Sequence, residues 1–350
     1  MLNVSTILKY PILTILSIGK KSFENLGRFI NKSGDTVSRL LQPAEVSLNM
    51  AQSIAQEMFQ NKKKLFCIID DTLIKKIYSQ FMQGSGMFFD TKMGRRIKAF
   101  RLVLGVISDG KFSIPFGCGF LFSKELLNIT KKEFPSKEDL SKAFVETSIK
   151  LFPKSKITVV ADGLYATVNF LTWCKNKNIA TEVRMHSNRV VWYKGKKFKL
   201  KDLARVSGIT PKGRQMSRTI TVMWHEIELE ITIVRRIDKH GDETIVFQAA
   251  TYKALPREHV AHYQKRWPIE KIFRTTKQYL GLQECYSRSL DKQHNHIASV
   301  LLAYALTQLD MKKYKLKTPE EALRRSKTKS ASATLERFSL LSEDIHYVDA

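Results

Sequence analysis

Apolar residues recur every three to four positions over residues 1–60, which predicts a small helical N-terminal region. Within it, the segment SFENLGRFINKSGDTVSRLLQP has two amphipathic parts separated by Ser33 and Gly34, so the pattern predicts a helix, a turn and a second helix. In a DNA-binding version of this motif, the second helix enters the major groove and Arg39 faces the DNA. The alternative is an ordinary helical hairpin that covers a larger core.

Beyond residue 60, short continuous apolar runs replace the helical spacing. LFCIID and KITVVADG predict buried strands that end in acid, and RLVLGVISDG and KFSIPFGCGFLF predict two strands joined by a turn at Asp109 and Gly110. SKEDLSKAFVETSIKLF and ATVNFLTWCKNKN have helical periodicity, and IATEVRMH predicts another strand. This alternation over residues 61–186 predicts an α/β layer with helices on both faces of a mixed sheet.

Residues 187–250 depart from the alternation. RVVWY, TITVMW, IELEITIVRR and ETIVFQAA are short β-type runs separated by turn signals, and they predict an all-β insertion. Helical patterning returns over residues 251–313. Residues 314–350 are basic and poor in large apolar side chains, which predicts an exposed, flexible C-terminal segment.

The excess of basic over acidic residues indicates that this α/β protein binds a polyanionic partner. Lysine and arginine total 59 against 33 aspartates and glutamates, a net charge of +26. Nucleic acid is the first candidate and an anionic membrane surface the second, although no run approaches the ~18 apolar residues of a membrane span. We therefore expect no membrane association.

The insertion carries a dense part of this positive charge. Between residues 187 and 218 the single acid is Asp202, and Trp192 and Tyr193 offer rings on which unpaired bases can stack. A phosphate-binding surface explains this density better than a merely solvated face. The basic side chains of the segment are Arg189, Lys194, Lys196, Lys197, Lys199, Lys201, Arg205, Lys212, Arg214 and Arg218.

Cysteines and histidines give no metal pattern. The four cysteines have no C-x-x-C pair and lie in apolar or amphipathic runs, which predicts reduced thiols in a cytoplasmic protein. His259 with His262, and His294 with His296, are i, i+3 and i, i+2 pairs without a nearby cysteine pair, which is typical of surface or interface side chains.

Carboxylates follow two of the predicted strands. Asp70 and Asp71 end one strand and Asp162 ends another, and open α/β folds keep their active sites at this edge of the sheet. Because Asp70 and Asp71 are adjacent, they point to opposite faces and only one can enter a given cleft. Gly163 allows a ligand to approach Asp162 closely. The alternative for each acid is the cap of a following helix.

A third group of polar residues lies in the segment YQKRWPIEKIFRTTK. On one unbroken helix, Tyr263, Arg266, Glu270 and Lys277 would share a narrow face suited to a phosphate and its metal. The alternative is an exposed ion pair between Arg266 and Glu270, worth about 0.3–0.5 kcal/mol. Pro268 predicts that the helix either kinks or begins there, which weakens the single-face argument for the residues before it.

The spacing Tyr-x2-Arg-x3-Glu-x6-Lys resembles the Y-R-E-K signature of bacterial insertion-sequence transposases of the DDE type, the family numbered four. Two further elements match, namely Asp70 followed by Asp71 and Thr72, and the sequence DGLY that begins at Asp162. The resemblance covers about residues 60–310. It implies a ribonuclease-H-like mixed-sheet core that a β insertion interrupts before the glutamate.

The resemblance also implies roles for individual residues. Asp70, Asp162 and Glu270 become the catalytic, metal-binding acids, which hold two Mg²⁺ or Mn²⁺ ions, and the D-x-T pattern favours Asp70 over Asp71 without excluding the latter. The implied contacts to the transposon end are Tyr263, Arg266 and Lys277. Trp192 and Trp224 are candidates for handling a base, with burial as the alternative for each.

The implied function is cut-and-paste transposition: cleavage of double-stranded DNA at terminal inverted repeats and strand transfer into target DNA, by a homodimer on the bacterial nucleoid in the cytoplasm. Two alternatives stay open at this point. One is a ribonuclease-H-like nuclease without strand transfer, and the other is a catalytically silent DNA-binding regulator derived from a transposase.

Overall fold

The computed structural model describes residues 4–79, 81–123, 134–208, 216–237 and 240–328. Its helices are α1 (Val4–Leu16), α2 (Phe23–Phe29), α3 (Gly34–Ser38), α4 (Ala44–Phe59), α5 (Lys137–Leu151), α6 (Val168–Asn176), α7 (Leu200–Val206), α8 (Pro256–Gln264), α9 (Pro268–Tyr279), α10 (Leu290–Tyr314) and α11 (Pro319–Lys327). Its strands are β1 (Lys64–Lys75), β2 (Gly86–Asp90), β3 (Arg95–Ser108), β4 (Ser113–Leu121), β5 (Lys156–Ala161), β6 (Ala180–Met185), β7 (Val190–Tyr193), β8 (Lys196–Lys199), β9 (Ser217–Trp224), β10 (Ile227–Ile237) and β11 (Glu243–Ala250).

The described strands form one sheet in the order β2-β3-β1-β5-β6-β11-β10-β9-β7-β8, with β4 paired to β3. Strands β1, β5 and β6 run parallel, and β3 and β4 are antiparallel to their neighbours. This mixed α/β sheet confirms the predicted ribonuclease-H-like core. The insertion is β-rich and continues the same sheet because β11 pairs with β6, and it contains one short helix, α7, that the sequence patterns did not predict.

Local signals in the sequence account for several element boundaries. Ser136 caps α5, because its hydroxyl accepts from the backbone of Asp139 at 3.1 Å and the Asp139 carboxylate accepts in return from the Ser136 backbone at 2.9 Å. The predicted turn between β3 and β4 is present, and Gly110 adopts a φ of +89° there.

Helix α5 packs closely on β3 and β4 because two glycines leave room for an aromatic ring. Gly105 and Gly117 are paired across these strands, and a Cβ atom on either would lie 2.8 Å from the ring of Phe144. The close approach brings Lys137, at the start of α5, to the Asp71 side of β1.

The N-terminal helices share the core of the sheet. Ile7 of α1 and Ile54 of α4 belong to the same buried cluster as the apolar residues of β1 and α10, and Gln52 donates to the carbonyl of Phe116 in β4 at 3.0 Å. Helices α2 and α3 pack as a pair, with Leu26 and Val37 in a separate small cluster. The predicted pair of helices is thus present, and its reading of DNA stays a prediction.

The C-terminal segment is described only in part. Helix α11 forms within it and buries Ala322 and Leu323, while residues 329–350 of the predicted flexible segment lie outside the described residues. All four cysteines are buried and free, as the sequence predicts.

A buried histidine joins the N-terminal helices to α10. Tyr10 donates to His296 Nδ1 at 2.7 Å, and His296 Nε2 donates to the carbonyl of Gly281 at 2.9 Å. The prediction that His296 is a surface side chain is wrong, because the ring is fully buried. Burial lowers the pKa of His296 to about 4.

We expect His296 to make folding stability pH-dependent. In the unfolded chain His296 is protonated below about pH 6.5, whereas in the folded protein it is protonated only below about pH 4. The free energy of unfolding therefore falls as the pH drops from 6.5 to 4. The free energy of unfolding should decrease by about 3 kcal/mol across this range. Denaturant unfolding of wild type and His296→Gln measures the difference in pH slope. Identical slopes would contradict the assignment.

Candidate active site

Two acids lie side by side on neighbouring parallel strands, Asp70 within β1 and Asp162 directly after β5. Strands β1 and β5 pair with Ile69 opposite Ala161, so the next residues, Asp70 and Asp162, occupy equivalent positions. Asp162 follows β5 directly, and its carboxylate accepts a hydrogen bond from the backbone of Gly163, as a cap of the short 3-10 turn Gly163–Tyr165. The prediction that Asp162 follows its strand is confirmed, whereas the prediction that Asp70 and Asp71 end theirs is wrong, because β1 stays paired with β3 as far as Lys75.

The doubled acid of β1 divides its side chains between the two faces of the sheet. Asp70 accepts from Arg266 Nη1 at 2.8 Å on the face that α8 and α9 cover. Asp71 lies on the face of α5, where Lys137 Nζ is 2.8 Å and Arg101 Nε 3.4 Å from its carboxylate. The geometry favours Asp70 as the acid that shares a cleft with Asp162.

The pKa of Asp70 is shifted by burial and by the charges of its neighbours. Burial raises the pKa of Asp70 to about 7, the Arg266 guanidinium opposes that rise, and the charges of Asp71 and Asp162 add to it. The carboxylate of Asp70 therefore needs nearby positive charge to stay ionised near neutral pH.

Arg266 bridges two carboxylates from the turn between α8 and α9. Its Nη1 donates to Asp70, and its Nη2 donates to Glu270 in the first turn of α9. The guanidinium carbon lies 6.0 Å from the centres of the Tyr263 and Trp267 rings. Its Nε is buried and has no hydrogen-bond partner among the described residues.

Pro268 begins a new helix, which is one of the two outcomes that the sequence predicted. Helix α8 ends at Gln264 and α9 starts at Pro268, so Tyr263 and Arg266 do not continue the helical face of Glu270 and Lys277. Because of this break, Arg266 points toward β1, and its guanidinium forms ion pairs with both Asp70 and Glu270.

Sequence comparison decides the family. The profile of the transposase DDE domain matches residues 121–306, more than half of the chain. The chain belongs to the transposase DDE domain family. The matched segment includes Asp162 and Glu270, and no curated protein matches the chain. Transposases act on DNA and generally use divalent metal ions, whereas the finer assignment to the family numbered four is not contained in this match.

The carboxylates near Arg266 have the chemistry that a divalent ion requires, but they are not gathered around a common point. Among the described residues, no three His, Cys, Asp or Glu side chains are gathered closely enough to hold a metal. However, Asp70 and Glu270 already converge on one positive group, the Arg266 guanidinium, with Asp162 beside them. Hard oxygen donors of this kind suit Mg²⁺ or Mn²⁺. The donor set therefore fits these ions.

The other predicted contact residues of the transposase lie in different settings. Tyr263 is buried at the end of α8, and burial raises its pKa. Lys277 donates to Thr72 Oγ1 at 2.6 Å and to the Leu73 carbonyl at 3.0 Å, and burial lowers its pKa to about 8. Arg39 is exposed at the end of α3, and no described contact joins it to these residues.

The two tryptophans of the insertion differ in exposure. Trp224 is buried, so the alternative of a structural role is confirmed for it. Trp192 is 45% exposed, and Lys197 Nζ lies 4.9 Å from the centre of its ring. A contact of Trp192 with DNA stays a prediction.

Arg184 is a residue of the site that the sequence reasoning did not identify. Strand β6 pairs with β5 so that Val183 lies opposite Ala161, which puts the exposed Arg184 beside Asp162. Its charge also acts on Tyr263, where it lowers the pKa against the effect of burial. No local signal identifies it, because Arg184 lies within β6 whereas Asp162 follows β5, and only the register of the two strands brings them together.

A buried polar network fixes α8 to β6. Glu182 is fully buried and accepts from His259 Nδ1 at 2.8 Å and from the hydroxyl of Tyr252, whose oxygen lies 2.7 Å from His262 Nδ1. The prediction that His259 is a surface side chain is therefore wrong. Glu182 Oε2 and His259 Nε2 are buried without a hydrogen-bond partner among the described residues. The network holds α8, and Tyr263 lies in the last turn of this helix.

No helix in the described ranges has the length and apolar character that crossing a membrane requires.

Proposed function

We propose that this transposase cleaves DNA at the ends of an insertion element and joins those ends to target DNA, with Asp70, Asp162 and Glu270 as its catalytic acids. The observation that carries the proposal is the convergence of two acids on adjacent parallel strands with a glutamate linked to one of them through Arg266. The Y-R-E-K spacing supports membership of the insertion-sequence family numbered four.

Asp70, Asp162 and Glu270 would hold the divalent ions, two Mg²⁺ or Mn²⁺ in the proposed active state. When bound, such ions activate the attacking water or 3′-hydroxyl and stabilise charge on the leaving oxygen of the phosphodiester. The burial of Asp70, which disfavours an uncompensated carboxylate, supports a cation at this position.

The surrounding side chains would bind and orient the DNA strand. Arg266 offers a forked guanidinium that matches phosphate geometry, Lys277 offers a point charge, and the Tyr263 hydroxyl can donate a hydrogen bond. Arg184, beside Asp162, extends this positive group along the sheet. Together they would hold the scissile phosphate next to the acids and fix its orientation.

We further propose double-stranded DNA and a second copy of the chain as partners. Helices α2 and α3, with the exposed Arg39, would contact the transposon end, and the basic insertion with Trp192 would contact DNA near the cleavage site. A homodimer would hold the two ends of one element together.

The test is an in vitro reaction on DNA that carries the inverted repeats flanking the reading frame, with Mg²⁺ and a target plasmid. We expect nicked ends followed by joined products. Nicks without joined products would favour a nuclease without strand transfer. Binding of the end DNA without any cleavage would favour a silent regulator and contradict the proposal.

A further inference from the structure

The guanidinium of Arg266 occupies the space between two of the proposed metal ligands. It donates hydrogen bonds to Asp70 and to Glu270 at the same time, and no other basic side chain among the described residues forms ion pairs with both acids. This inference rests on the proposed function, because it takes these two acids as ligands of the divalent ion.

Burial makes the contact strong enough to oppose an incoming ion. The side chains of Arg266 and Asp70 are only 14% and 16% exposed, so water screens their attraction weakly. A divalent ion approaching Asp70 and Glu270 would meet the repulsion of the guanidinium and would have to break both ion pairs. Without another anion to receive Arg266, metal binding therefore carries an added cost.

A DNA phosphate would offer Arg266 an oxyanion other than the two carboxylates that it already contacts. A guanidinium presents a planar fork of donors that fits a phosphate as well as a carboxylate, and the Nε of Arg266 is at present buried without a partner. The exposed Trp267 ring lies within 6.0 Å of the guanidinium carbon and borders a groove of about 270 Å³ that Lys265 and Lys271 also line. A phosphate entering this groove meets positive charge beside the Arg266 turn.

We propose that Arg266 is an internal counter-ion of the proposed catalytic acids. A DNA phosphate draws Arg266 away from Asp70 and Glu270, and divalent ions then take its place. Metal and DNA therefore bind cooperatively, since each relieves the cost that Arg266 imposes on the other. By linkage, the factor by which DNA tightens metal binding equals the factor by which metal tightens DNA binding. In the absence of DNA the acids stay neutralised by the chain itself.

The test measures Mn²⁺ binding to the full DNA-free chain by electron paramagnetic resonance, a readout that needs no cleavage. Arg266→Gln should bind Mn²⁺ about tenfold or more tightly than wild type, because one partly buried positive charge leaves the site. Arg101→Gln is the matched control: it removes a guanidinium from Asp71 on the opposite face of β1, and its Mn²⁺ affinity should equal that of wild type.

A second arm compares the Mn²⁺ affinity of wild type with and without DNA, and its deciding result does not depend on how any variant folds. Saturation with a short mixed-sequence duplex, corrected for Mn²⁺ bound by the DNA itself, should raise the Mn²⁺ affinity of the protein. The same duplex should leave the affinity of Arg266→Gln nearly unchanged. An unchanged wild-type affinity would overturn the counter-ion role.

Substitution of the acids separates this inference from the proposed function. If Asp70→Asn and Glu270→Gln abolish Mn²⁺ binding but Arg266→Gln binds no more tightly than wild type, the acids are ligands and the counter-ion role is rejected. If both acid variants retain wild-type Mn²⁺ binding, the metal assignment fails, and the inference fails with it. Thermal unfolding of each variant verifies that the chain is folded.

Discussion

Asp70→Asn should lower DNA strand cleavage by about a thousandfold or more, whereas Asp71→Asn should leave the cleavage rate of the folded protein within about tenfold of wild type. The two residues are neighbours in sequence, but Asp70 faces Asp162 and Arg266 while Asp71 faces Lys137 and Arg101. An amide cannot replace a carboxylate as an anionic ligand, so only the first change removes charge from the proposed metal site.

The measurement is single-turnover cleavage of end DNA in Mg²⁺, with the folded fraction of each variant determined by thermal unfolding. Asp71→Asn should lower the melting temperature, because it leaves the ammonium of Lys137 and the guanidinium of Arg101 without their buried partner. Asp162→Asn and Glu270→Gln should behave as Asp70→Asn does. A thousandfold loss in Asp71→Asn with retained cleavage in Asp70→Asn would transfer the catalytic role to Asp71.

Ile54→Asp should prevent stable folding of the sheet as well as of the N-terminal helices. Ile54 of α4 is fully buried in the cluster that includes β1 and α10, and an unpaired carboxylate there costs several kcal/mol. A typical chain has only about 5–15 kcal/mol of stability to lose. If the helices formed an independent unit, the sheet would tolerate the change.

Hydrogen exchange of the β1 and β5 amides, read by mass spectrometry, distinguishes these outcomes. We expect loss of protection in both strands together with α4. Glu45→Gln, on an exposed position of the same helix, serves as the control and should change the free energy of unfolding by less than about 1 kcal/mol. Protected strands beside an unfolded α4 would contradict a shared core.

The acids of the site could be predicted because their signal is local. An apolar run that ends in aspartate indicates a buried strand, so Asp70 and Asp162 followed from a few residues each. The run gives the strand end only for Asp162, because β1 continues past Asp70 to Lys75. Whether they lie beside each other depends on the parallel pairing of β1 with β5, and that pairing depends on the whole sheet. The sequence therefore supplied the residues, and the topology supplied their adjacency.

Contacts between distant segments account for what the sequence did not predict. Arg266 reaches Asp70 across 196 positions of sequence, and Arg184 joins the site only through the register of β6 against β5. The burial of His259 likewise follows from Glu182, a partner on another element. A local pattern records the type of each side chain but not the partner that compensates its burial. The sequence therefore predicts surface or interface positions for His259 and His296, both of which are fully buried.

The continuity of the sheet has a mechanical consequence. Strand β11 of the insertion is hydrogen-bonded to β6, and β6 to β5, which ends directly before Asp162. If the insertion binds DNA as proposed, strain from bent DNA would be carried across consecutive backbone ladders to the strand that precedes Asp162, a proposed catalytic acid. The distance between Asp162 and Asp70 would then change with the tension in the bound DNA.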